Sequence, residues 1–332
     1  MREALVLAQS ADAPVGENPR VGCVIVADDG TVVGRGYHRG AGSPHAEVVA
    51  LADAGVTARG ATAVVTLEPC RHLGRTGPCT EALIAAGITR VIFAQSDPTQ
   101  AAGGGGLVLR AAGLDVRGGV LAAEAERVNA DWTFAEIHRR PLVTWKAAVS
   151  LDGRVAGPDG GPTAITADEA RADVQRLRAQ VGAIIVGTGT ALADNPHLTV
   201  RGVEPAGGRS VLRVVVGSRP VPDHFHVHDD EAPSLFLADS APVSVLSELF
   251  DRGVRHVLLE GGPTLAAAFL SEGLVDRIVW YVAPVLLGDG PVALAAPPDA
   301  ATRPLGVDVD DVTVVGEDVR IRGWVTYERA EQ

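Results

Sequence analysis

The feature that most limits the fold of this 332-residue chain is a regular alternation of β-branched runs and helical patterns. A paired run at 21–38 flanks an Asp-Asp-Gly turn and predicts a hairpin. A helical pattern then follows Pro44, a β-branched run spans 61–68, a second helical pattern follows Pro78, and another strand spans 90–95. Because such alternation usually builds parallel strands covered by helices, it predicts an α/β layer fold.

A second series of strand and helix patterns begins after the His-Arg-Arg-Pro segment at 138–141. Before this segment we expect a glycine-rich loop at 103–106 and a helical segment over 121–139. The later half has enough strands to form a core of its own. The sequence therefore predicts two domains, residues 1–139 and residues 140–332.

The net charge limits the kinds of binding partner, and the cysteine content indicates the cellular compartment. The formal charge of −12 disfavours nucleic acid, although a few arginines can still form a local pocket for a small anion. No apolar run reaches membrane-spanning length, and no leader pattern opens the chain, so no membrane association is expected. The chain has three cysteines, Cys23, Cys70 and Cys79, which is too few and an odd number for a disulfide framework. They predict that the protein is located in the cytoplasm, where thiols stay reduced.

Three potential metal ligands stand in a recognisable order. His45 precedes Glu47 by two positions, and Cys70 and Cys79 each follow a proline. One imidazole and two thiolates hold zinc and leave a fourth position open, where a water molecule becomes nucleophilic near neutral pH. The order H-x-E, then P-C, then a second cysteine is the signature of zinc deaminases. It predicts zinc ligands at His45, Cys70 and Cys79, with Glu47 as the catalytic acid and base.

The spacing of the cysteines leaves an alternative. The usual signature has two residues between them, whereas eight separate them here. A helix that starts at Cys79 would return it to the site, and Pro78 suits a helix start. Helix starts at His45 and Cys79 would also favour thiolate. The alternative is a closed structural zinc site with His72 as the fourth ligand. The remaining cysteine, Cys23, is expected to be a small buried hydrophobic residue in a strand and not a metal ligand.

With this order of zinc-ligand candidates and the segments quoted below, the sequence resembles the bifunctional deaminase/reductase family of riboflavin biosynthesis over nearly the whole chain. In the first half the resemblance rests on NPRVGCVIV, GYHRGAGSPHAEVVAL, GATAVVTLEPC, HLGRTGPC and ALIAAGITRVIFAQSDP. In the second half it rests on WKAAVSLDGR, AITADEARADVQRLRA, AIIVGTGTALADNPHLTVR and LEGGPTLAAAFL. The eight-residue gap between the cysteines is the spacing that this family uses.

The resemblance implies a cytidine-deaminase-like three-layer domain followed by a dihydrofolate-reductase-like domain that uses NADPH. It also implies two reactions: hydrolytic deamination of 2,5-diamino-6-(5-phosphoribosylamino)pyrimidin-4(3H)-one, then reduction of the ribosyl group to ribityl. The expected partner is therefore a small phosphorylated pyrimidine, and the chain could form a homo-oligomer. By the same resemblance, Asn18 falls where the family holds the pyrimidine edge.

The second half contains two glycine loops that follow strands, at 188–190 and 261–264. Alone they are weak signals for an anion site, because a glycine pair after a strand is more often an ordinary turn, and G-x-G-x-x-G is absent. The resemblance places NADPH contacts on Ala148, Ala164, Thr190, Asp194, Ser218, Gly262, Pro263, Thr264, Leu265, Ala266, Ala267 and Ala268. It places substrate contacts on Lys146, Arg178, Leu198, Arg201 and Glu260.

Two of these assignments have a chemical rationale of their own. Guanidinium groups suit a phosphate, so Arg178 and Arg201 are candidate clamps, although a solvated helix face and a loop charge are the simpler interpretations. Ala164 and Pro162 replace a tryptophan and a serine common in the family. They leave open the alternative of a deaminase joined to a cofactor-binding or non-catalytic reductase-like domain. A nucleic-acid adenosine deaminase with an unrelated second module is a further alternative, which the acidic charge disfavours.

Overall fold

The computed structural model describes residues 1–10, 13–14, 16–72, 77–161, 163–238, 241–294 and 305–327. The chain divides into two compact units, Met1–Arg139 and Arg140–Gln332. Pro162 and residues 73–76 of the loop between the cysteines lie outside the described residues. No helix in the described ranges has the length and apolar character needed to cross a membrane.

The first unit builds one sheet between two layers of helices. Its strands are β1 (Gly22–Val26), β2 (Val32–Tyr37), β3 (Thr62–Leu67), β4 (Arg90–Gln95) and β5 (Asp115–Arg117). Its helices are α1 (Arg2–Ala8), α2 (Ala46–Ala54), α3 (Cys79–Ala85), α4 (Gly105–Ala111), α5 (Ala122–Val128) and α6 (Ala130–His138). The strand order is β2-β1-β3-β4-β5, in which β1 runs antiparallel to both neighbours and β3, β4 and β5 are parallel.

The strand pleat explains the three layers. Along β1, Cys23 and Ile25 point into a core shared with α2, α3 and α4, whereas Val24 faces the other side against α1. Both faces are therefore covered, which is why the strands read as continuous apolar runs. Cys23 is fully buried, which confirms its expected role as a small hydrophobe.

The second unit is built on a larger mixed sheet. Its helices are α7 (Asp168–Arg178), α8 (Thr188–Asp194), α9 (Pro242–Asp251) and α10 (Pro263–Ser271). Its strands are β6 (Leu142–Ser150), β7 (Ala183–Gly187), β8 (Leu212–Val216), β9 (Ser234–Leu237), β10 (His256–Leu259), β11 (Arg277–Ala283), β12 (Gly306–Val315) and β13 (Asp318–Thr326). The order is β12-β13-β11-β6-β10-β7-β8-β9, and the six strands from β11 to β9 are parallel.

Helices cover both faces of this sheet as well. Ile185 and Leu259 point into a core with α9 and α10, and Ile184 and Leu258 point into a core on the opposite face. The carboxyl ends of β7 and β10 lead directly into α8 and α10, so both glycine segments lie at the same edge of the sheet.

The structure corrects one local expectation and sharpens two others. The glycine run predicted as a loop at 103–106 already belongs to a helix from Gly105 onward. The segment at 121–139 is helical as predicted, but it forms two helices that meet at Asn129. The predicted hairpin of β1 and β2 is confirmed, and β1 also runs antiparallel to β3.

Candidate metal centre and active-site cavity

The imidazole and two thiols singled out in the sequence meet at one point. His45 Nδ1 lies 3.1 Å from Cys79 Sγ and 3.5 Å from Cys70 Sγ. The ligand atoms of these three residues all lie within 4.8 Å of one another. One nitrogen and two sulfurs form the donor set of a zinc site, so these residues fit that ion. In the described part of the chain this cluster has no fourth protein ligand, and His72 is an exposed loop residue outside it.

Helix starts place two of these ligands, as the prolines predicted. His45 is the N-cap of α2, and Cys79 is the first residue of α3. Cys70 lies in the loop after β3, where the Cys79 amide donates a 3.4 Å hydrogen bond to its sulfur. Gly36 allows α2 to approach β2 closely, because a Cβ at that position would collide with the α2 backbone at Ala46.

The two thiols differ in acidity. The pKa of the Cys70 thiol is lowered, chiefly because its thiolate accepts a hydrogen bond from the Cys79 thiol. The pKa of the Cys79 thiol is raised, chiefly because it donates that bond. In the chain without metal the two sulfurs are thus joined by one hydrogen bond, and the expectation that the helix start favours thiolate at Cys79 stays a prediction.

Glu47 lies in the first turn of α2, directly beside the cluster. It is 4% exposed, and its carboxyl contacts the Cys79 thiol. Desolvation by burial raises the pKa of this carboxyl, and the nearby imidazole of His45 opposes the rise only in part. A buried carboxyl at the edge of a three-ligand cluster can exchange a proton with a group bound there.

Sequence reasoning missed the residues that support this centre. The buried His38 packs edge-on against His45, with ring centroids 5.3 Å apart, and its Nδ1 lies 3.2 Å from the Pro44 carbonyl oxygen. Asn129 exchanges two hydrogen bonds with the Arg20 backbone and so fixes the segment that carries the half-buried Asn18. Only the fold brings these distant positions together.

The second unit contains a cavity of about 930 Å³ at the edge where β7 and β10 end. Most of the residues predicted to contact the cofactor line it: Ala148, Ala164, Thr190, Asp194, Gly262, Pro263, Thr264, Leu265 and Ala268. The Gly262 amide donates a 3.0 Å hydrogen bond to Thr190 Oγ1, so the two glycine segments are joined. Glycine backbone and a helix start on the wall of a cavity of this size fit a dinucleotide phosphate.

A buried charged triad forms part of the same wall. Glu260 accepts two hydrogen bonds from Arg178, at 2.7 and 2.9 Å, and its Oε2 lies 3.2 Å from Lys146 Nζ. Although desolvation by burial acts to raise it, these two cations hold the pKa of Glu260 at about 2. Lys146 and Glu260 line the cavity, whereas Arg178 also donates to the Thr199 carbonyl oxygen behind them.

The remaining predicted residues lie outside the cavity lining. Ala266 and Ala267 are buried in α10, and Leu198, in the segment after α8, is buried in the core on the opposite face of the sheet. Ser218 is exposed between two lining residues, and Arg201 is exposed. Arg219 lines the cavity opposite Gly189 but was not singled out in the sequence.

Comparison with known proteins assigns both halves. Residues 1–95 match the cytidine and deoxycytidylate deaminase zinc-binding region, and residues 141–321 match the RibD C-terminal domain. Riboflavin biosynthesis protein RibD of Mycobacterium tuberculosis is 48% identical over 308 residues, which cover 91% of this chain and 89% of that protein. RibD of Escherichia coli is 42% identical over 322 residues, covering 87% and 88%.

Solved structures agree with this assignment. Acinetobacter baumannii RibD superposes with a TM-score of 0.90 at 36% identity, covering 98% of this chain and 97% of that one. A Thermotoga maritima diaminohydroxyphosphoribosylaminopyrimidine deaminase/5-amino-6-(5-phosphoribosylamino)uracil reductase gives 0.87 at 32% identity, with the same coverage. The alternative of a second unit without reductase function is not favoured. The chain belongs to the RibD family and is a bifunctional enzyme, with a zinc-dependent deaminase unit and an NADPH-dependent reductase unit.

Proposed function

We propose that this chain deaminates 2,5-diamino-6-(5-phosphoribosylamino)pyrimidin-4(3H)-one and then reduces its ribosyl group to ribityl. The observation that carries the first step is the buried Glu47 beside a three-ligand cluster of one imidazole and two sulfurs. The observation that supports the second step is the glycine-walled cavity in the second unit. The T. maritima protein of similar fold is named as a diaminohydroxyphosphoribosylaminopyrimidine deaminase and 5-amino-6-(5-phosphoribosylamino)uracil reductase, which are these two activities.

In the first unit we assign His45, Cys70 and Cys79 as the zinc ligands. Zinc in such a site lowers the pKa of a water molecule at its open position toward neutrality. Glu47 then accepts a proton at its carboxylate and delivers protons to the ring nitrogen and to the departing ammonia. Asn18 donates or accepts at the pyrimidine edge, on the segment that Asn129 fixes.

In the second unit the cavity residues hold and orient the cofactor. The hydrogen bond from the Gly262 amide to Thr190 Oγ1 holds the two glycine segments together beside the start of α10, where the dinucleotide phosphate would lie, and Pro263, Thr264, Leu265 and Ala268 form the wall there. The other proposed cofactor contacts are Ala148, Ala164, Asp194, Ser218, Ala266 and Ala267. Together they place the nicotinamide against the former anomeric carbon, which accepts hydride after the ribosylamino group opens to an imine.

Substrate contacts in the second unit are proposed at Lys146, Arg178, Leu198, Arg201 and Glu260. The structure directs three donors of Arg178 to Glu260 and Thr199, so a role at the phosphate would require some of these bonds to be exchanged. The backbone amide of Arg201 donates a 2.9 Å hydrogen bond to Gln175 Oε1, whereas its side chain is exposed. Arg201 is therefore the better candidate for the phosphate clamp.

The decisive experiment follows both steps with the purified chain and the diaminopyrimidine substrate. Ammonia release without NADPH, followed by NADPH oxidation only after deamination, is the expected result. Ammonia release with no NADPH oxidation would refute the second step. If neither ammonia release nor NADPH oxidation is observed, both steps are refuted. Deamination of tRNA would instead favour the nucleic-acid deaminase.

A cytoplasmic location, predicted from the cysteines, is consistent with three free thiols.

A further inference from the structure

We propose that the second unit holds a second divalent metal ion, bound by His197, His226 and Asp229. One ligand atom from each of these residues lies within 4.8 Å of the other two. The cluster contains no sulfur and shares no residue with the proposed zinc centre of the first unit. None of its members lines the active-site cavity.

The two imidazoles are already side by side. Their rings stack with centroids 3.6 Å apart and planes at 20°, and His226 Nδ1 lies 3.6 Å from Asp229 Oδ2. Ligand atoms at 2.0–2.1 Å from a tetrahedral zinc ion stand about 3.4 Å from one another. Because the lone pairs of stacked rings point in nearly parallel directions, one imidazole must turn out of the stack for all three ligands to bind one ion.

Neighbouring groups hold these ligands from behind. The fully buried Arg213 donates to Asp229 Oδ1 at 2.7 Å and to the backbone oxygens of His226 and Asp229, which leaves Asp229 Oδ2 for an ion. The His226 amide donates to Asn195 Oδ1 at 2.9 Å, which ties the loop to the segment that carries His197. Ligands with such supporting hydrogen bonds are the ones that bind metals tightly.

Glu231 completes the surroundings. Its Oε2 lies 3.2 Å from His197 Nδ1, and its amide donates to Asp229 Oδ1 at 3.0 Å. A carboxylate on one nitrogen of a histidine fixes the tautomer and orientation of a metal ligand. The same acidic surroundings attract a cation to this surface.

The donor set identifies the class of ion. Two imidazoles with one carboxylate suit zinc, cobalt, nickel or copper, whereas magnesium and calcium prefer oxygen alone. The ion would join the loop at 223–231 to the segment at 195–198 that follows α8.

Cobalt separates this site from the first one by its spectrum. A tag-free chain is stripped of metal and titrated with Co²⁺, which substitutes for zinc. Thiolate ligands give an intense charge-transfer absorption, whereas nitrogen and oxygen ligands give only weak bands. We expect two equivalents to bind at micromolar metal, only one of them with the charge-transfer band.

Variants then assign the second equivalent. His226→Ala should lose it and keep the equivalent that carries the charge-transfer band. His228→Ala is the matched control, because His228 belongs to the same loop but stacks on Phe236 and contacts the Val221 carbonyl oxygen. It should bind both equivalents. His197→Ala should repeat the loss if thermal unfolding shows that His226→Ala does not fold.

Two results would overturn the proposal. The first is a wild-type chain that binds one equivalent only. The second is a folded His226→Ala or His197→Ala chain that still binds both equivalents as tightly as wild type.

Discussion

The two units build their sites in opposite ways. In the first, three side chains from the starts of two helices and one loop meet within 4.8 Å, and a single buried carboxyl stands beside them. In the second, a cavity of about 930 Å³ is lined largely by glycines, small residues and backbone, with one buried charged triad in its wall. One substitution in the compact centre should therefore cause a large loss of activity. One substitution in the wall of the broad cavity should cause only a small loss of activity.

The steepest response is expected at Glu47. Glu47→Gln keeps the size of the side chain but removes the proton acceptor, so ammonia release should fall by about a thousandfold, within the range for general acid–base catalysis. Zinc content should stay at the wild-type level, and NADPH oxidation with the deaminated intermediate should be unchanged. Retention of more than a tenth of the deaminase activity would contradict the proposed role.

In the second unit the largest single effect is expected on stability, at Glu260. Glu260→Gln leaves Lys146 and Arg178 as buried cations without their partner, which should lower the free energy of unfolding of this unit by about 3–5 kcal/mol. Glu248→Gln is the matched control, because Glu248 forms an exposed pair with Arg252 and should cost about 0.5 kcal/mol or less. Denaturant unfolding of both variants measures the contrast, and equal losses would refute it.

The same pair predicts a pH dependence. The pKa of Glu260 lies below its usual value of 4.5, at about 2 in the folded chain. A lowered pKa means that the ionised carboxylate stabilises the fold fully above pH 4.5, and that this stabilisation is lost as the pH falls toward 2. The stability advantage of wild type over Glu260→Gln should therefore shrink across that window in calorimetry, and an advantage that grows on acidification would contradict the pairing.

A smaller effect is expected where β2 meets α2. In Gly36→Ala the new Cβ would collide with the α2 backbone and push away the helix that carries His45 and Glu47. We expect a loss of about 1–3 kcal/mol in stability, together with weaker zinc binding. Gly77→Ala is the control, since a Cβ there meets no atom of the described residues within 4 Å. Unchanged zinc affinity in Gly36→Ala would mean that helix position does not set the site.

The smallest effect belongs to the cavity wall. Thr190→Val removes the acceptor of the Gly262 amide, which should cost about 1 kcal/mol and raise the KM for NADPH about fivefold. Thr190→Ser keeps the hydroxyl and should behave as wild type. If steady-state kinetics show the same KM for both variants, the bond between the glycine segments does not support the cofactor.

Local signals were sufficient to predict the first site. Pro44 and Pro78 mark helix starts, and the structure begins α2 just after His45 and α3 at Cys79. The hairpin of β1 and β2 was likewise readable from its Asp-Asp-Gly turn. Each of these features depends on residues close together in the chain, where sequence patterns are informative.

Long-range features could not be read in this way. Arg178 could be read as a phosphate clamp or a solvated residue, yet its main partner Glu260 lies 82 positions further along the chain. The direction of the two thiol pKa shifts depends on the contact between Cys70 and Cys79 in the fold. The hairpin of β12 and β13 was missed because its alternation of valines with polar residues, at 307–309 and again at 312–314, changes phase at the register shift between Val309 and Asp311.

Zinc-edge X-ray absorption on the chain loaded with one equivalent of zinc tests the central claim most directly. The account predicts two sulfur neighbours at about 2.3 Å, two nitrogen or oxygen neighbours at about 2.0–2.1 Å, and outer-shell scattering from a single imidazole ring. A shell of light atoms without sulfur, or scattering from two imidazole rings, would contradict an open site formed by His45, Cys70 and Cys79.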